Sequence, residues 1–546
     1  MTLTQLPAWQ QLKAHRSATD FTLHKLFAGD AQRYAHFSYT CDGLLVDCSK
    51  NLVTADTLRG LLALANARDL AGRIEQLFRG DNVNFTEQRP ALHMAARAAA
   101  PLCADDAGSV QLHRETTAEH ERMRAFVESL HGAGNIRDVI HIGIGGPHHG
   151  PAFACEALAG YARPQLRIHH LSTVDGAALR KLLGALDATT TLAVVASKSF
   201  TTAETLANAR EVWRWMAHSL GSEQAPADHF AAATCATDAA AAFGISPERT
   251  FYVWPWIGGR YSLCSAMGLP VALCAGMAAF EQLRKGAAAM DRHFRATPLE
   301  KNIPVILGLL DVWYANFFDC EARVVLPYVD CFDRLVPCLQ QVEMESLGKQ
   351  VTRDGTRVDY ATGMMTWGGA ATHGQHTFMQ LLAQGTRFAP VDIIAACRAP
   401  HGVVELHRSL LANALAQAEA RMLGQSEQSA RASLQRRGIS AREIDGIAPH
   451  LVLPGNLPST TILLPEADPC HVGMLLALYE HKVFVESVIW DINAFDQWGV
   501  EFAKELSTHI DSELASPSDT PSDSMDSSTR GLIRHIRMQQ LDRSTP

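Results

Sequence analysis

The sequence predicts an α/β protein built from two parallel-sheet units with helices around them. Short apolar runs such as Val139–Ile142 and Thr191–Ala196 end in glycine-rich or polar turns and lead into helical patterns. Strands that alternate with helices in this way are typical of parallel sheets. Leu166–Leu171 is a further strand candidate in this part of the chain. The alternation resumes at Val324–Leu326, with more strand candidates at Ile462–Leu464 and Phe484–Glu486. With 546 residues, the chain also exceeds the length at which a single core keeps growing.

We divide the chain into four segments on this pattern. Residues 1–120 are predicted to be a mainly helical segment that packs on the larger α/β unit. Residues 121–285 are predicted to form the first α/β unit and residues 286–510 the second. Residues 511–546 are predicted to be a C-terminal linker and arm. The stretch Ala515–Asp523 is poor in apolar residues, a composition that favours mobility.

Composition and charge narrow the class of protein. Lys and Arg number 48 against 57 Asp and Glu, a net charge of −9, which argues against a nucleic-acid-binding surface. Met1–His15 contains no apolar signal region, and the longest apolar stretch, Ala266–Phe280, is too short to span a bilayer and predicts one buried helix. The 12 cysteines include no C-x-x-C pair and are interpreted as reduced thiols. The sequence therefore predicts a cytoplasmic protein without nucleic-acid or membrane partners.

The polar loop at residues 197–202 follows a buried strand and precedes a helix. Thr201 with Glu204 three residues later is a capping-box pattern, which predicts that the helix begins at Thr201. A helix N-terminus offers unsatisfied N–H groups and a partial positive charge to an anion. A capped turn alone accounts for Thr201, but it leaves the other polar side chains of the loop unexplained. These are Ser197, Lys198, Ser199 and Thr202. The loop is therefore predicted to bind a phosphate.

A glycine-rich turn, Gly143–Gly150, follows the first predicted strand. The dinucleotide-binding pattern G-x-G-x-x-G requires a third glycine where this chain has His148, so we reject a dinucleotide site. Two interpretations stay open. The turn is either a cradle of backbone N–H groups for a small anionic ligand or a tight turn that needs glycine for its dihedral angles.

A predicted helix that ends before Gly348 carries two candidate carboxylates. Gln341 and Glu345 are four residues apart and share a face, whereas Glu343 points roughly the opposite way. Only one of the two glutamates can therefore join Gln341 in a pocket. The alternative is an ordinary charged helix, which the periodicity alone favours.

Two more polar groups are candidates for chemistry. Arg260 follows a Gly-Gly turn, and arginine suits anions because it stays charged and offers a fork of donors. His373 and His376 are three residues apart, but no second cluster with ligand spacing appears and H-E-x-x-H is absent. We therefore predict a catalytic or structural imidazole at His376 and no metal site.

The stretch Asp491–Lys504 is predicted to be a helix. Gln497, Glu501 and Lys504 are spaced four and three residues apart and form one polar stripe. A solvated face is the alternative interpretation. The aromatic residues in and beside this stretch predict that the helix is deeply packed, which favours a functional stripe. They are Trp490, Phe495, Trp498 and Phe502.

Long motifs along nearly the whole chain together resemble the glucose-6-phosphate isomerase (phosphoglucose isomerase) family. They are Asn84-Phe85-Thr86-Glu87, Ser197–Thr202, Ile257–Ser262, Met344-Glu345-Ser346, Gly374-Gln375-His376, Tyr479-Glu480-His481-Lys482, Phe495–Glu501 and Asp526–Ile533. The resemblance implies two sugar-isomerase-type, doubly wound parallel-sheet subdomains with surrounding helices and a C-terminal arm. It also implies a homodimer that interconverts glucose 6-phosphate and fructose 6-phosphate in glycolysis and gluconeogenesis, without a metal or cofactor.

The resemblance also implies a role for each matching residue. Glu345 is the base that moves a proton between C2 and C1, and Arg260 steadies the cis-enediol(ate). His376, donated across the dimer interface, and Lys504 help to open the sugar ring. The groups that hold the sugar and its phosphate are Gly146, Ser197, Lys198, Ser199, Thr202 and Gln341.

The chain departs from the family pattern in the turn after the first predicted strand. The family usually reads Gly-Gly-Ser-Asp there, whereas Pro147 and His148 follow Gly146 in this chain. Pro147 removes a hydroxyl and a backbone donor. This departure favours an alternative function, a phosphosugar-binding regulator without turnover, although retention of Glu345 argues against it. A third alternative is an isomerase that also accepts mannose 6-phosphate.

Overall fold

The structure, a computed structural model, describes residues 2–399, 402–516, 522 and 524–541. Residues up to Phe495 form one compact unit, and residues from Asp496 onward form a second. Most of the predicted mobile linker, residues 517–521 and 523, lies outside the described residues.

Strands and helices alternate along most of the chain. The strands are β1 (Ser38–Cys41), β2 (Leu44–Asp47), β3 (Asp138–Ile142), β4 (Arg167–Leu171), β5 (Thr191–Ala196), β6 (Phe230–Thr234), β7 (Thr250–Tyr252), β8 (Ala322–Tyr328), β9 (Met365–Gly368), β10 (Val391–Ala396) and β11 (Ser459–Leu464). The α-helices are α1 (Pro7–Ala18), α2 (Leu23–Gly29), α3 (Arg33–His36), α4 (Ala55–Ala67), α5 (Leu70–Arg79), α6 (Ala107–Ala133), α7 (Gly146–Ala157), α8 (Gly176–Leu183), α9 (Ala203–Leu220), α10 (Thr237–Phe243), α11 (Leu269–Ala275), α12 (Met277–Ala296), α13 (Ile303–Phe317), α14 (Leu335–Gln340), α15 (Ala371–Gln375), α16 (Met379–Gln384), α17 (Val404–Leu423), α18 (Glu427–Arg436), α19 (Ala441–Ile447), α20 (Pro469–Trp490), α21 (Trp498–Ala515) and α22 (Ser527–Leu541). Among the residues that the structure describes, no helix has the length and apolar character needed to cross a membrane.

The first sheet is entirely parallel and has the strand order β4-β3-β5-β6-β7. Its middle strands β3 and β5 are buried along their whole length, with Ile140 opposite Ala193. The three strands predicted in this part of the chain are confirmed. The strand order reverses between β3 and β5, and such a switch point, at the carboxyl ends of the strands, is where ligands bind in parallel sheets.

The second sheet combines parallel and antiparallel strands in the order β1-β2-β11-β10-β8-β9. Strands β8 to β11 pair in parallel, whereas β2 runs antiparallel to β11 and β1 antiparallel to β2. The β1–β2 hairpin was not predicted. Its turn is Asp42-Gly43, with φ angles of 46° and 89°, and Asp-Gly at positive φ is a strong hairpin signal.

Two predicted secondary-structure elements in the unit that ends at Phe495 are wrong. Phe484–Glu486 lies in the middle of α20 rather than in a strand. That helix is buried and apolar on almost every side, so a short apolar run within it does not distinguish helix from strand. The stretch Ala266–Phe280 is not one helix, because the chain breaks at Gly276, where φ is 85°.

The second unit contains α21 and α22. The helix predicted from Asp491 begins only at Trp498. The prediction that this helix is deeply packed is wrong for two of its aromatic residues. Trp498 is 59% exposed and Phe502 is 65% exposed. In α22, Ile533 is buried.

Candidate active site

One side of the candidate site is the glycine turn after β3, at the switch point between β3 and β5. Gly145 has φ 64° and ψ −131°, which glycine adopts without strain, and it precedes the first residue of α7, Gly146. A Cβ atom on Gly146 would lie 2.0 Å from the carbonyl carbon of Gly259. The turn after β3 therefore packs backbone to backbone against the Gly258–Arg260 turn, and only glycine fits at position 146.

Arg260 and Glu345 face one another at this place. Arg260 Nη1 lies 3.6 Å from Glu345 Oε2, and Arg260 is buried, with only 8% of its surface exposed. Its Nε donates to Ser346 Oγ at 2.6 Å, and its Nη2 donates to the carbonyl of Ala494. These bonds fix the guanidinium plane. Glu345 Oε2 is buried and accepts no hydrogen bond from any residue that the structure describes.

Glu345 ends a π-helical turn, Gln341–Glu345, that follows α14 directly. Such turns are rare and often lie at functional sites. Gln341 is half-buried, and a Cβ atom on Gly145 would lie 3.2 Å from its Nε2. The turn therefore places the Gln341 amide beside the glycine turn and the Glu345 carboxylate beside Arg260.

Glu343 points away from this site, as the helical spacing predicted. Its side chain is buried and accepts hydrogen bonds from Arg323 Nη2 at 3.0 Å and from Lys482 Nζ at 2.9 Å. The Thr366 hydroxyl donates to its second oxygen. Burial raises the pKa of Glu343, but the two cations outweigh burial and lower that pKa overall. Of the two glutamates, only Glu345 joins the candidate site.

The loop 197–202 turns sharply at Phe200, whose φ is 53°. Ser197 and Thr202 place their hydroxyls 3.2 Å apart, and those of Ser199 and Thr201 are 2.7 Å apart. The predicted capping box is wrong. Helix α9 begins at Ala203 with Thr202 as its N-cap, because the Thr201 hydroxyl pairs with Ser199 instead of capping the helix.

Lys198 connects this loop to the segment that leads to Arg260. Its ammonium group donates to the carbonyls of Pro255 and Ile257, each at 2.8 Å. Burial, with the nearby positive charge of Arg89, lowers the pKa of Lys198 to about 8. Two of its three donors are thus bound to protein, and one remains for a ligand.

The other two predicted catalytic residues are His376, which lies in the first unit, and Lys504, which lies in the second. His376 caps the C-terminus of α15 and is exposed. Its ring forms no hydrogen bond or ion pair with the part of the chain that is described. Lys504 lies in α21, where it is 62% exposed and pairs with Glu501 at 2.8 Å.

A network of buried charges, which was not predicted, links Arg97 to helices α12 and α20. Arg97 pairs with Asp291 at 2.7 Å and with Glu480 at 2.6 Å, and His481 also bonds Asp291 at 2.7 Å. Tyr261, next to the candidate arginine, donates or accepts a bond at 2.9 Å with the Ser346 hydroxyl. The sequence did carry a signal for this network. Glu480 and His481 are adjacent in the apolar helix α20, and buried charged groups need partners.

The arrangement can move a proton at a carbon atom. A carboxylate with an unpaired lone pair can accept the proton, and a fixed guanidinium beside it stabilises the negative charge that develops. The neighbouring loop and helix N-terminus suit a phosphate. Fold and site together define a class of enzyme that performs acid–base chemistry on a small phosphorylated ligand.

Comparison with known proteins identifies the family. A family profile described as phosphoglucose isomerase matches residues 47–533. Glucose-6-phosphate isomerase 1 of Thiobacillus denitrificans is 45% identical over 546 residues, which cover 98% of this chain and 99% of that protein. Glucose-6-phosphate isomerase of Pseudomonas fluorescens strain Pf0-1 is 44% identical over 544 residues and 98% of each chain.

A solved structure agrees with these relatives. The crystal structure of a glucose-6-phosphate isomerase from Chlamydia trachomatis has a TM-score of 0.85 and 28% identity to this chain, and the match covers 99% of this chain and 100% of that one. The chain belongs to the phosphoglucose isomerase family.

Proposed function

We propose that this chain interconverts glucose 6-phosphate and fructose 6-phosphate through a cis-enediol(ate), with Glu345 moving the proton between C2 and C1. The observation that carries the proposal is the Glu345 carboxylate. Its Oε2 is buried, has no hydrogen-bond partner among the described residues and lies 3.6 Å from Arg260 Nη1. Membership of the family supports the reaction, and the pathway is glycolysis.

Arg260 stabilises the intermediate in this proposal. A proton next to a carbonyl group is weakly acidic, so its removal requires a cation that stabilises the enediolate. The bonds of Arg260 to Ser346 and Ala494 support this role, because a guanidinium fixed before the reaction does not need to reorganise during it.

The phosphate is held by the 197–202 loop and the N-terminus of α9. The N-cap of α9 makes no side-chain capping bond, which leaves first-turn N–H groups for an anion. The side chains that contribute are Ser197, Lys198, Ser199 and Thr202. Gly146 and Gln341 hold the sugar from the opposite turn.

Ring opening uses Lys504 and a histidine from a second subunit. The exposure of His376 and its lack of polar partners among the described residues support donation across a dimer interface. Each active site of the proposed cytoplasmic homodimer then combines Glu345 of one subunit with His376 of the partner subunit.

Hybrid dimers test this arrangement. Glu345→Gln and His376→Ala protomers, each inactive alone, are unfolded together and refolded as a mixture. If the histidine crosses the interface, each heterodimer regains one intact site with about half of the wild-type activity per dimer. If both residues act within one chain, both sites of the heterodimer stay inactive, which would refute the donation. Refolded homodimers of each variant are the controls.

The reaction itself is tested with purified chain in a coupled assay of fructose 6-phosphate conversion. Wild-type turnover together with its loss in Glu345→Gln supports the proposal. Phosphosugar binding without turnover in the wild type would indicate the regulator. A parallel assay with mannose 6-phosphate distinguishes an isomerase of broader specificity.

A further inference from the structure

Three histidines converge beside the glycine turn. His141 lies on β3 and His170 on β4, where the two residues are direct register partners. His148 lies in the first turn of α7. One ring nitrogen from each of the three lies within 4.8 Å of the others. We call these three residues the histidine cluster.

The cluster is buried and has unused hydrogen-bonding capacity. His141 is fully buried and His148 is 7% exposed. His141 and His170 share one hydrogen bond between their Nδ1 atoms at 2.9 Å. His141 Nε2 and His148 Nδ1 are buried without a partner anywhere in the described residues. Buried polar atoms without partners are costly and call for an explanation such as a bound ion.

The chemical state of the cluster suits a metal. Burial favours the neutral form of an imidazole ring, and a neutral ring keeps a lone pair on one nitrogen for a metal. Neutral imidazole nitrogens are common zinc ligands. The nearby cation is Arg334, and its charge is offset by an ion pair with Glu156 at 2.8 Å.

We propose that the histidine cluster binds a divalent transition-metal ion of the zinc type, which fastens the first turn of α7 to strands β3 and β4. In a tetrahedral zinc site the ligand nitrogens are about 3.3 Å apart, from Zn–N distances of about 2.0–2.1 Å. One nitrogen from each ring lies within 4.8 Å of the other two. Where the His141 and His170 Nδ1 atoms are both ligands, the ion replaces the hydrogen bond between them. Small side-chain rotations complete three ligands, and water takes the fourth position.

The ion stabilises the turn that carries Gly145 and Gly146, and it takes no part in the proposed proton transfer. No compact sequence motif marks this site, because its ligands are spread over residues 141–170. His148 stands at one of the two positions in this turn where the chain departs from the family pattern. At least one of the three proposed ligands is therefore a departure of this chain.

Metal content of the untagged chain tests the proposal without an activity assay. After removal of metal with a chelator, the chain is titrated with Zn²⁺ and separately with Co²⁺. We expect one zinc per chain, a visible Co²⁺ spectrum of a tetrahedral site and a rise in Tm with zinc. X-ray absorption of the zinc-loaded wild type is expected to show about three imidazole ligands near 2.0–2.1 Å. This measurement needs no variant.

Matched histidine variants locate the ion. His148→Ala and His170→Ala are expected to weaken zinc binding by at least about 10-fold, since even second-shell changes cost about 10- to 100-fold. His149→Ala, next to the cluster but outside it, is expected to keep wild-type affinity. The proposal is overturned if the wild type binds no stoichiometric zinc, if fewer than two imidazoles coordinate it, or if His149→Ala alone abolishes binding.

Discussion

Glu343 and Glu345 lie two residues apart in one π-helical turn, yet their surroundings are opposite. Glu343 is 2% exposed and is held by Arg323, Lys482 and Thr366. Glu345 has a side chain that is 21% exposed, one cation at 3.6 Å and an oxygen without a partner among the described residues. The difference teaches that a carboxylate saturated with donors stabilises the fold, whereas one left with a free lone pair is suited to accept a proton.

The largest expected effect comes from Glu345→Gln. The amide cannot accept the substrate proton, so kcat is expected to fall by about 10²–10⁴-fold, the usual contribution of a general base. The free energy of unfolding is expected to fall less than in a Glu343 variant, because Glu345→Gln removes only the 3.6 Å ion pair with Arg260 and no hydrogen bond to Glu345 Oε2 in the described chain. Steady-state kinetics and urea denaturation measure the two quantities. Wild-type kcat in this variant would remove Glu345 from the mechanism.

The same chemical change at the neighbouring glutamate is expected to give the opposite result. Glu343→Gln leaves Arg323 and Lys482 short of a buried counter-charge, and breaking such a pair costs about 3–5 kcal/mol. The midpoint of urea denaturation is expected to fall, while kcat per folded molecule changes little. A stable but inactive Glu343→Gln protein would show that the two carboxylates do not divide their roles in this way.

A third glutamate, Glu486, extends the comparison because its protonation makes stability depend on pH. Burial raises the pKa of Glu486 from an ordinary value near 4.5 to about 8, although Lys482 lies 2.7 Å away. The folded chain therefore holds this proton between about pH 4.5 and 8, where the unfolded chain has lost it. The stability that this contributes is complete below pH 4.5 and is lost as the pH rises to 8.

Glu486→Gln removes this pH dependence and keeps a carbonyl acceptor for Lys482. We compare the Tm of the variant with that of the wild type at each pH. The difference, variant minus wild type, is expected to increase by a few degrees as the pH is raised from about 5 to 8. Thermal unfolding at several pH values measures it, with Glu501→Gln on the exposed face of α21 as the control. A constant Tm difference across the range would mean that Glu486 is ionised in the folded chain.

The smallest effect is expected from Pro147→Ser at the glycine turn. Serine returns a hydroxyl and an N–H donor beside Gly146, and one hydrogen bond contributes about 0.5–1.5 kcal/mol. KM for fructose 6-phosphate is therefore expected to fall by about 2- to 10-fold with little change in kcat. If KM is unchanged or higher, the turn has already adapted to proline.

The sequence predicted the parts of the fold that rest on strong local patterns. Strands β3, β4 and β5 were found because apolar runs precede glycine-rich or polar turns, and the separation of Glu343 from Glu345 followed from helical spacing. Strand β6 was missed because Phe-Ala-Ala-Ala-Thr has weak strand propensity, so its neighbours in the sheet decide its structure. The strand predicted inside α20 failed because a helix buried on all sides has no amphipathic period.

The candidate site shows the same limits. Arg260, Glu345 and the 197–202 loop could be predicted from residue type, spacing and resemblance. Their contacts could not, because Lys198 finds its carbonyl partners more than fifty residues away along the chain. The positions of His376 and Lys504 relative to Glu345 stay predictions, which the hybrid-dimer experiment tests.

The tether formed by Lys198 has a consequence for how a substrate's phosphate contributes to catalysis. Its ammonium binds the carbonyls of Pro255 and Ile257 and so ties the loop 197–202 to the segment that leads to Arg260. In the proposed mechanism, binding energy gained at the phosphate, several bonds from the reacting carbons, would appear as accurate placement of the guanidinium. Enzymes use remote binding energy in this way to raise kcat rather than to tighten ground-state binding.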